Sequence, residues 1–103
     1  MANQIWKYPL TNDVTTLNLP PDAIPLSAHA QDNKPTLWVQ QSITPSTVTV
    51  PRQFICIPTG TTMPPLGQLH SFIGTVLLHQ DAFVVHVYEF LEAGDFYPTS
   101  VAS

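Results

Sequence analysis

Alternating apolar and polar residues run through the first half of the chain and predict β-strands. The segment Ile24–Gln31 alternates most cleanly, and four of its residues are predicted to share one face: Ile24, Leu26, Ala28 and Ala30. The turn cluster Asp32-Asn33-Lys34 and a second strand, Thr36–Gln41, follow, and this order is typical of a β-hairpin. Val14–Leu19 also alternates, and Gln4–Tyr8 is a short aromatic strand that ends before Pro9.

The second half predicts longer and more apolar strands. Thr47–Ile57 is one strand, and Pro51 indicates that its early part lies at a sheet edge. Ser71–His79 and Ala82–Phe90 form a second hairpin around His79-Gln80-Asp81, with Phe72, Val76 and Leu78 expected on one face of the first strand. Both faces of this hairpin are apolar. We therefore expect it to be central in the fold or covered by a second chain.

Two connections separate these strands: the polar loop Ser42–Ser46 and the uncharged run Pro58–His70. No window has an apolar pattern of helical period without a proline, and the chain has 11 prolines. The predicted fold is all-β, a small antiparallel sandwich or barrel of about seven strands with no significant helix. We expect one domain over residues 1–90 and a C-terminal tail over residues 91–103.

Charge is scarce, and this narrows the possible partners. Only 10% of the 103 residues are charged, and the cations are Lys7, Lys34 and Arg52. Binding a nucleic-acid polymer takes several phosphate contacts, so we exclude it, while a small anion stays possible. So few charges favour burial of surface in a homo-oligomer. The chain has no apolar run of bilayer length and no signal-peptide pattern at its start, which predicts a cytosolic protein without a membrane partner.

The residue types that commonly act in catalysis are not arranged as a catalytic site in this sequence. Most of the acidic residues fall in predicted turns or connections, and no two form a convincing pair. Cys56 lies in an apolar strand with no neighbouring histidine, which suits a buried residue better than a nucleophile. In the last hairpin His86 is expected opposite Thr75, far from His79, so the two histidines do not form a metal site. We predict a protein that is not an enzyme and uses no metal or cofactor.

Two tryptophans on strands are candidate binding residues. Trp6 and Trp38 either pack in the core or offer flat rings on which a base stacks. Lys7 follows Trp6 on the same strand and therefore points to the opposite side, toward an anion or a second protomer.

The loop after Pro58 is the second candidate. Thr59, Gly60, Thr61 and Thr62 offer hydroxyls and successive backbone N–H groups that suit an anion. Arg52 lies up to about 20 Å away along its strand, so it would reach this loop from another protomer. His70 ends the run and completes the candidate ligand set. The alternative is a proline-stiffened lid that closes the open end of the sandwich.

Three segments together resemble a family of small proteins encoded by tailed bacteriophages and prophages, whose function is unknown. They are "QIWKYPL" at 4–10, "LSAHAQDNKPTLWVQQ" at 26–41 and "FIGTVLLHQDAFVVHVYE" at 72–89. The chain departs from the family pattern at Asn33-Lys34, where a glycine turn is common, and in the tail beyond Phe90. The resemblance implies a phage origin, and hence the host cytoplasm, and it transfers no catalytic residue.

Two functions fit these observations. The first is a phage accessory binding protein, in one version an oligomeric sponge that sequesters an anionic nucleotide signal of antiviral immunity. The second is a structural or assembly role, such as a minor virion or adaptor protein.

Overall fold

The computed structural model describes residues 2–43, 48–65 and 68–90 and confirms the all-β prediction. Seven strands follow one another: β1 Asn3–Pro9, β2 Val14–Leu19, β3 Ile24–Gln31, β4 Lys34–Ser42, β5 Val50–Pro58, β6 Leu69–Leu78 and β7 Phe83–Phe90. The described residues include no helix with the length and apolar character needed to cross a membrane. The predicted tail 91–103, and the part of the polar loop at 44–46, lie outside the described residues.

The strands form two antiparallel sheets that pack as a small sandwich. Sheet A has the order β1-β4-β3, and sheet B has the order β2-β5-β7-β6. The buried side chains of both sheets form one core, which includes Leu37 and Val39 of sheet A and Phe54, Val76 and Val87 of sheet B. We call the face of each sheet that points into this core its inner face and the opposite face its outer face.

Both predicted hairpins are present, and their turns are tied together. Asp32 and Asn33 have φ of 52° and 59°, as a two-residue turn between twisted strands requires. His79, Gln80 and Asp81 also have positive φ. The Asn33 side chain accepts a hydrogen bond from the His79 N–H at 2.7 Å, and its Nδ2 lies 2.7 Å from His79 Nδ1. One side chain thus connects the tips of two hairpins that belong to different sheets.

The predicted shared face of β3 is wrong because the strand contains a bulge. The pairing with β4 shifts between Pro25 and Ser27, which leaves Leu26 as the extra residue. Ala28 is buried in the core, whereas Ile24 and Leu26 are exposed. A bulge breaks the period of two along a strand, so residues on its two sides no longer share one face.

The predicted shared face of Phe72, Val76 and Leu78 on β6 is wrong because this strand also contains a bulge. The pairing with β7 shifts between Phe72 and Gly74, so Phe72 points outward and is 56% exposed, while Val76 and Leu78 are buried. Near this bulge β6 packs against β3 of the other sheet. A Cβ atom added at Gly74 would lie 3.1 Å from both the backbone N and the backbone O of Ala28.

Pro51 lies in the early part of β5, for which the described residues show pairing with one neighbouring strand. Val50–Arg52 pairs with β2 alone among the described residues, while the pairing with β7 begins at Gln53. Pro51, which has no N–H to donate, lies in this part of the strand. From Gln53 onward β5 is a central strand, and β7 is central as well, whereas β6, the other strand of the hairpin expected to be central, lies at the edge of the described sheet.

We predict that Gly74→Ala lowers the free energy of unfolding by about 1–3 kcal/mol, because the new methyl group would meet backbone atoms that have no rotamer with which to move away. Urea unfolding followed by tryptophan fluorescence measures the change. The control is Ser71→Ala, an exposed substitution on the same strand, which should change stability by at most about 0.5 kcal/mol. Adding Ala28→Gly should not restore Gly74→Ala, and a full restoration would contradict this account.

Candidate functional site

The predicted loop after Pro58 forms one wall of an open cleft on the outer face of sheet B. We call this depression, about 300 Å³ in volume, the His86 cleft. It is lined by the loop, by the end of β5 and by two residues of β7: Ile57, Pro58, Thr59, Gly60, Thr61, Met63, His86 and Tyr88. Residues 59–63 of the loop therefore lie against the outer face of sheet B, beside the buried Ile57.

The His86 imidazole is held by hydroxyl groups on both of its nitrogens. Thr59 Oγ1 lies 2.8 Å from His86 Nε2, and Thr75 Oγ1 of the neighbouring strand lies 3.0 Å from His86 Nδ1. The predicted pairing of His86 with Thr75 is confirmed by the register of β6 and β7. Two hydrogen bonds fix the plane of the ring, so the cleft has a rigid aromatic wall before any ligand enters.

Local hydrogen bonds shape the loop. The Thr59 N–H donates to Val84 O at 3.0 Å, which attaches the start of the loop to β7. Gly60 has φ of +89°, a conformation that L side chains rarely adopt, and Thr61 donates from both its N–H and its hydroxyl to Pro58 O. These contacts turn the chain back over Ile57. They also engage the Thr61 hydroxyl, one of the groups predicted to hold an anion.

The chemistry of the His86 cleft is uncharged. Its lining includes no Asp, Glu, Lys or Arg. The polar groups are threonine hydroxyls, the imidazole and the Tyr88 phenol, and the apolar groups are Ile57, Pro58 and Met63. An apolar cleft with a few directed polar groups suits a flat, neutral or weakly polar ring better than a bare phosphate.

Thr62 lies in a neighbouring depression on the other side of the loop, not in the His86 cleft. Asp13, Cys56 and Met63 also line that depression. Burial, reinforced by the negative charge of Asp13, raises the pKa of the Cys56 thiol to about 11. The thiol is therefore protonated at neutral pH, which argues against a nucleophilic role.

Arg52 lies on the inner face of sheet B and forms a buried ion pair. Its Nε donates to Glu89 Oε2 at 2.7 Å, and its Nη2 donates to Glu89 Oε1 at 2.8 Å. Its Nη1 donates to Ala23 O at 2.7 Å, in the connection between β2 and β3. The Arg52 side chain is 12% exposed and that of Glu89 is 1% exposed. The guanidinium thus binds a carboxylate of its own chain and does not contact residues 59–62 of the loop that follows Pro58.

His70 lies beside the same ion pair, with its Nδ1 3.8 Å from Glu89 Oε1. Arg52 and Glu89 are near the start of β5 and the end of β7, whereas Thr59 follows the end of β5 and bonds near the start of β7. The predicted ligand residues of the two regions therefore lie at opposite ends of the β5–β7 pair.

The two tryptophans lie on opposite faces of sheet A. Trp6 pairs with the buried Val39 and so lies on the inner side, although it is 50% exposed because β1 extends past the core. Trp38 lies on the outer face directly opposite Lys7. Side chains directly opposite on paired strands have Cβ atoms roughly 5 Å apart. The prediction that Lys7 points away from Trp6 is thus confirmed. The two rings cannot stack on one ligand within one chain.

Sequence reasoning assigned no role to Glu89. A signal for it was present, since Glu89 shares its face with Val85 and Val87, and Arg52 shares its face with Phe54. A charge on the buried face of an apolar strand is rarely left unpaired. His86 was considered only as a metal ligand. Among the residues that the structure describes, no three His, Cys, Asp or Glu side chains cluster in a way that would hold a metal ion.

Comparison with known proteins gives a family but no activity. A family model described as "Domain of unknown function (DUF7352)" matches residues 1–94. No curated protein and no solved structure matches the chain.

We predict that Arg52→Met destabilises the fold by about 3–5 kcal/mol, because it leaves the Glu89 carboxylate buried without its counter-charge. Urea unfolding measures the loss. The double variant Arg52→Met/Glu89→Met should recover most of it, since an apolar pair of similar volume needs no compensation. A single-variant cost below about 1 kcal/mol would show that the pair behaves like an exposed salt bridge.

Proposed function

We propose that this chain, which belongs to the DUF7352 family, is a non-catalytic binding protein that holds the flat ring of a small ligand in the His86 cleft. The observation that carries the proposal is the fixed imidazole of His86, which both Thr59 and Thr75 orient in an open cleft of about 300 Å³. Tyr88 and Met63 supply further surface for a planar group.

The ligand class that best fits this cleft is a nucleobase or nucleoside. A base has a π-face for the aromatic wall and edge groups that bond to threonine hydroxyls. The phosphate of a nucleotide would lie outside the cleft, because no cation lines it and Arg52 is engaged by Glu89. Sequestration of an anionic nucleotide signal is the narrower form of this proposal, and it needs a cation from a second protomer beside the cleft.

Binding without catalysis is supported by the state of the polar groups. The lining of the cleft has no carboxylate and no lysine, and the Cys56 thiol lies in the neighbouring depression with its pKa raised to about 11. His86 has a hydroxyl at each ring nitrogen, so neither nitrogen is free to act as a general base without losing a hydrogen bond. A ligand held here is expected to leave unchanged.

Thermal-shift screening against adenosine, guanosine, cyclic nucleotides and ADP-ribose tests the proposal. We predict a rise in Tm with at least one compound at about 100-fold excess over its Kd, which corresponds to about 2.7 kcal/mol of stabilisation. Mass spectrometry should recover the ligand intact after denaturation. Recovery of an altered ligand would indicate an enzyme.

Thr59→Val and Thr62→Val form the matched pair for this experiment. Thr59→Val removes the hydroxyl on His86 Nε2 and should weaken binding about tenfold, the effect of losing about 1.4 kcal/mol. Thr62→Val changes the same loop outside the cleft and should bind like the unmodified protein. Equal binding by both variants, or no shift with any compound, would reject the cleft as the site.

A structural or assembly role is the second candidate, and the outer face of sheet B favours it. Phe72 and Leu77 are exposed there, at 56% and 51%. The paired residues on this face, among those described, include no Asp, Glu, Lys or Arg. Uncharged apolar faces of this kind are typical of protein contact surfaces. The ligand screen separates the two candidates, because an assembly role predicts no bound compound.

A further inference from the structure

The free edge of β1 is set up to pair with another strand. β1 is the terminal strand of sheet A and pairs with β4 alone among the described residues. The Leu10 N–H donates to Pro35 O at 2.9 Å, and the Ile43 N–H donates to Ala2 O at 3.2 Å. Since hydrogen bonding alternates along an antiparallel pair without register shifts, even-numbered residues of β1 direct their backbone groups toward β4. Asn3, Ile5 and Lys7 therefore direct their N–H and C=O groups away from the sheet.

This edge is apolar on both faces. Ile5, on the outer face, is 63% exposed, and Trp6, on the inner face, is half exposed. A strand that leaves both an isoleucine and a tryptophan in solvent, beside unpaired backbone groups, is the kind of edge that sheet proteins normally cover or pair.

The β2 edge of sheet B is better protected. The Cys56 N–H donates to Asp13 O, so by the same alternation Val14, Thr16 and Asn18 direct their backbone groups away from β5. Two of these three residues are polar, an aspartate precedes the strand, and Pro20 and Pro21 follow it. The other two edge strands, β3 and β6, contain bulges, which interrupt an edge. β1 is thus the edge that most needs a partner.

We propose that β1 pairs with β1 of a second copy of this chain, antiparallel, about a two-fold axis at Ile5. In this register Ile5 faces Ile5 of the other copy, and Asn3 faces Lys7 of the other copy in two symmetric pairs. Each pair exchanges two backbone hydrogen bonds, so every outward N–H and C=O between Asn3 and Lys7 has a partner.

Neighbouring registers satisfy the edge less well. An axis at Trp6 places Asn3 opposite Pro9, which has no N–H, so the Asn3 carbonyl is left without a donor. An axis at Lys7 places two lysines directly opposite each other, which is unfavourable. Lys7 and Pro9 thus disfavour the axes at Trp6 and Lys7 and do not prevent pairing about Ile5.

The pairing gives a continuous six-stranded sheet and an isologous dimer. Ile5, Gln40 and Ile24 lie in one row across the outer face of sheet A, and the dimer joins this row to its copy through the two Ile5 side chains. The His86 cleft lies on sheet B and takes no part in the pairing, so dimer formation and ligand binding are tested independently.

Sedimentation velocity over a concentration series tests the dimer. The unmodified protein should show a reversible monomer–dimer equilibrium. Ile5→Lys places like charges opposite each other and should raise the dimer Kd by about tenfold or more. Asn18→Lys adds the same charge at the free edge of β2 and should leave the Kd unchanged. A monomer at all accessible concentrations, or equal effects of the two lysines, would overturn the proposal.

Asn3→Asp tests the register through an expected gain in dimer affinity, a result that a weakened fold cannot produce. It sets a carboxylate opposite Lys7 of the other copy twice per dimer and should lower the Kd by about threefold or more. The gain should disappear at roughly 1 M salt, where screening acts over about 3 Å. An Asn3→Asp dimer of unchanged or weaker affinity would reject the axis at Ile5.

Discussion

The buried ion pair between Arg52 and Glu89 is the interaction on which the sandwich most depends. Three hydrogen bonds from one guanidinium connect β5, β7 and the connection that leads from sheet B to sheet A. The carboxylate is 1% exposed, so the pair has lost its hydration and repays that cost only while its geometry is kept. It therefore fixes where the chain crosses between the sheets, and an apolar substitute could supply stability but not this alignment.

The positions of the strands were predictable because their signals are local. Which residues of β3 and β6 point into the core was not predictable in this way. Alternation and turn residues lie within a few positions of each other, so both hairpins and the bounds of β2 and β3 could be predicted from the sequence. The bulges at Leu26 and between Phe72 and Gly74 lie where β3 packs against β6, about 45 residues away in sequence. Each bulge reverses the inward and outward sides of part of its strand, so the sheet-wide pattern of exposure follows from a contact that no short window contains.

The candidate site was predicted in part for the same reason. The loop from Thr59 to Thr62 could be identified from its composition. Its partner His86 is 27 residues away from Thr59 and is brought to it by the β5–β7 pairing. Arg52 was expected to be available to a ligand, because its counter-charge at Glu89 is 37 residues away. A rule that treats any charge on an apolar strand face as half of a pair would have found both members from sequence.

The distribution of the few charges decides how this protein can recognise anything. Of the three cations, Arg52 is in the core, Lys34 is in strand β4 beside a hairpin turn and Lys7 is on the edge strand β1. None of them lines the His86 cleft. Long-range attraction therefore contributes little at the cleft, and the proposed recognition of a ring rests on shape, stacking and hydroxyl hydrogen bonds. Ligand affinity of the proposed kind would change little with ionic strength, because no charged side chain lines the cleft. In the proposed β1 pairing Lys7 faces the neutral Asn3 of the other copy, so neither proposed surface of the unmodified protein places opposite charges in contact, and salt has little to screen at either one.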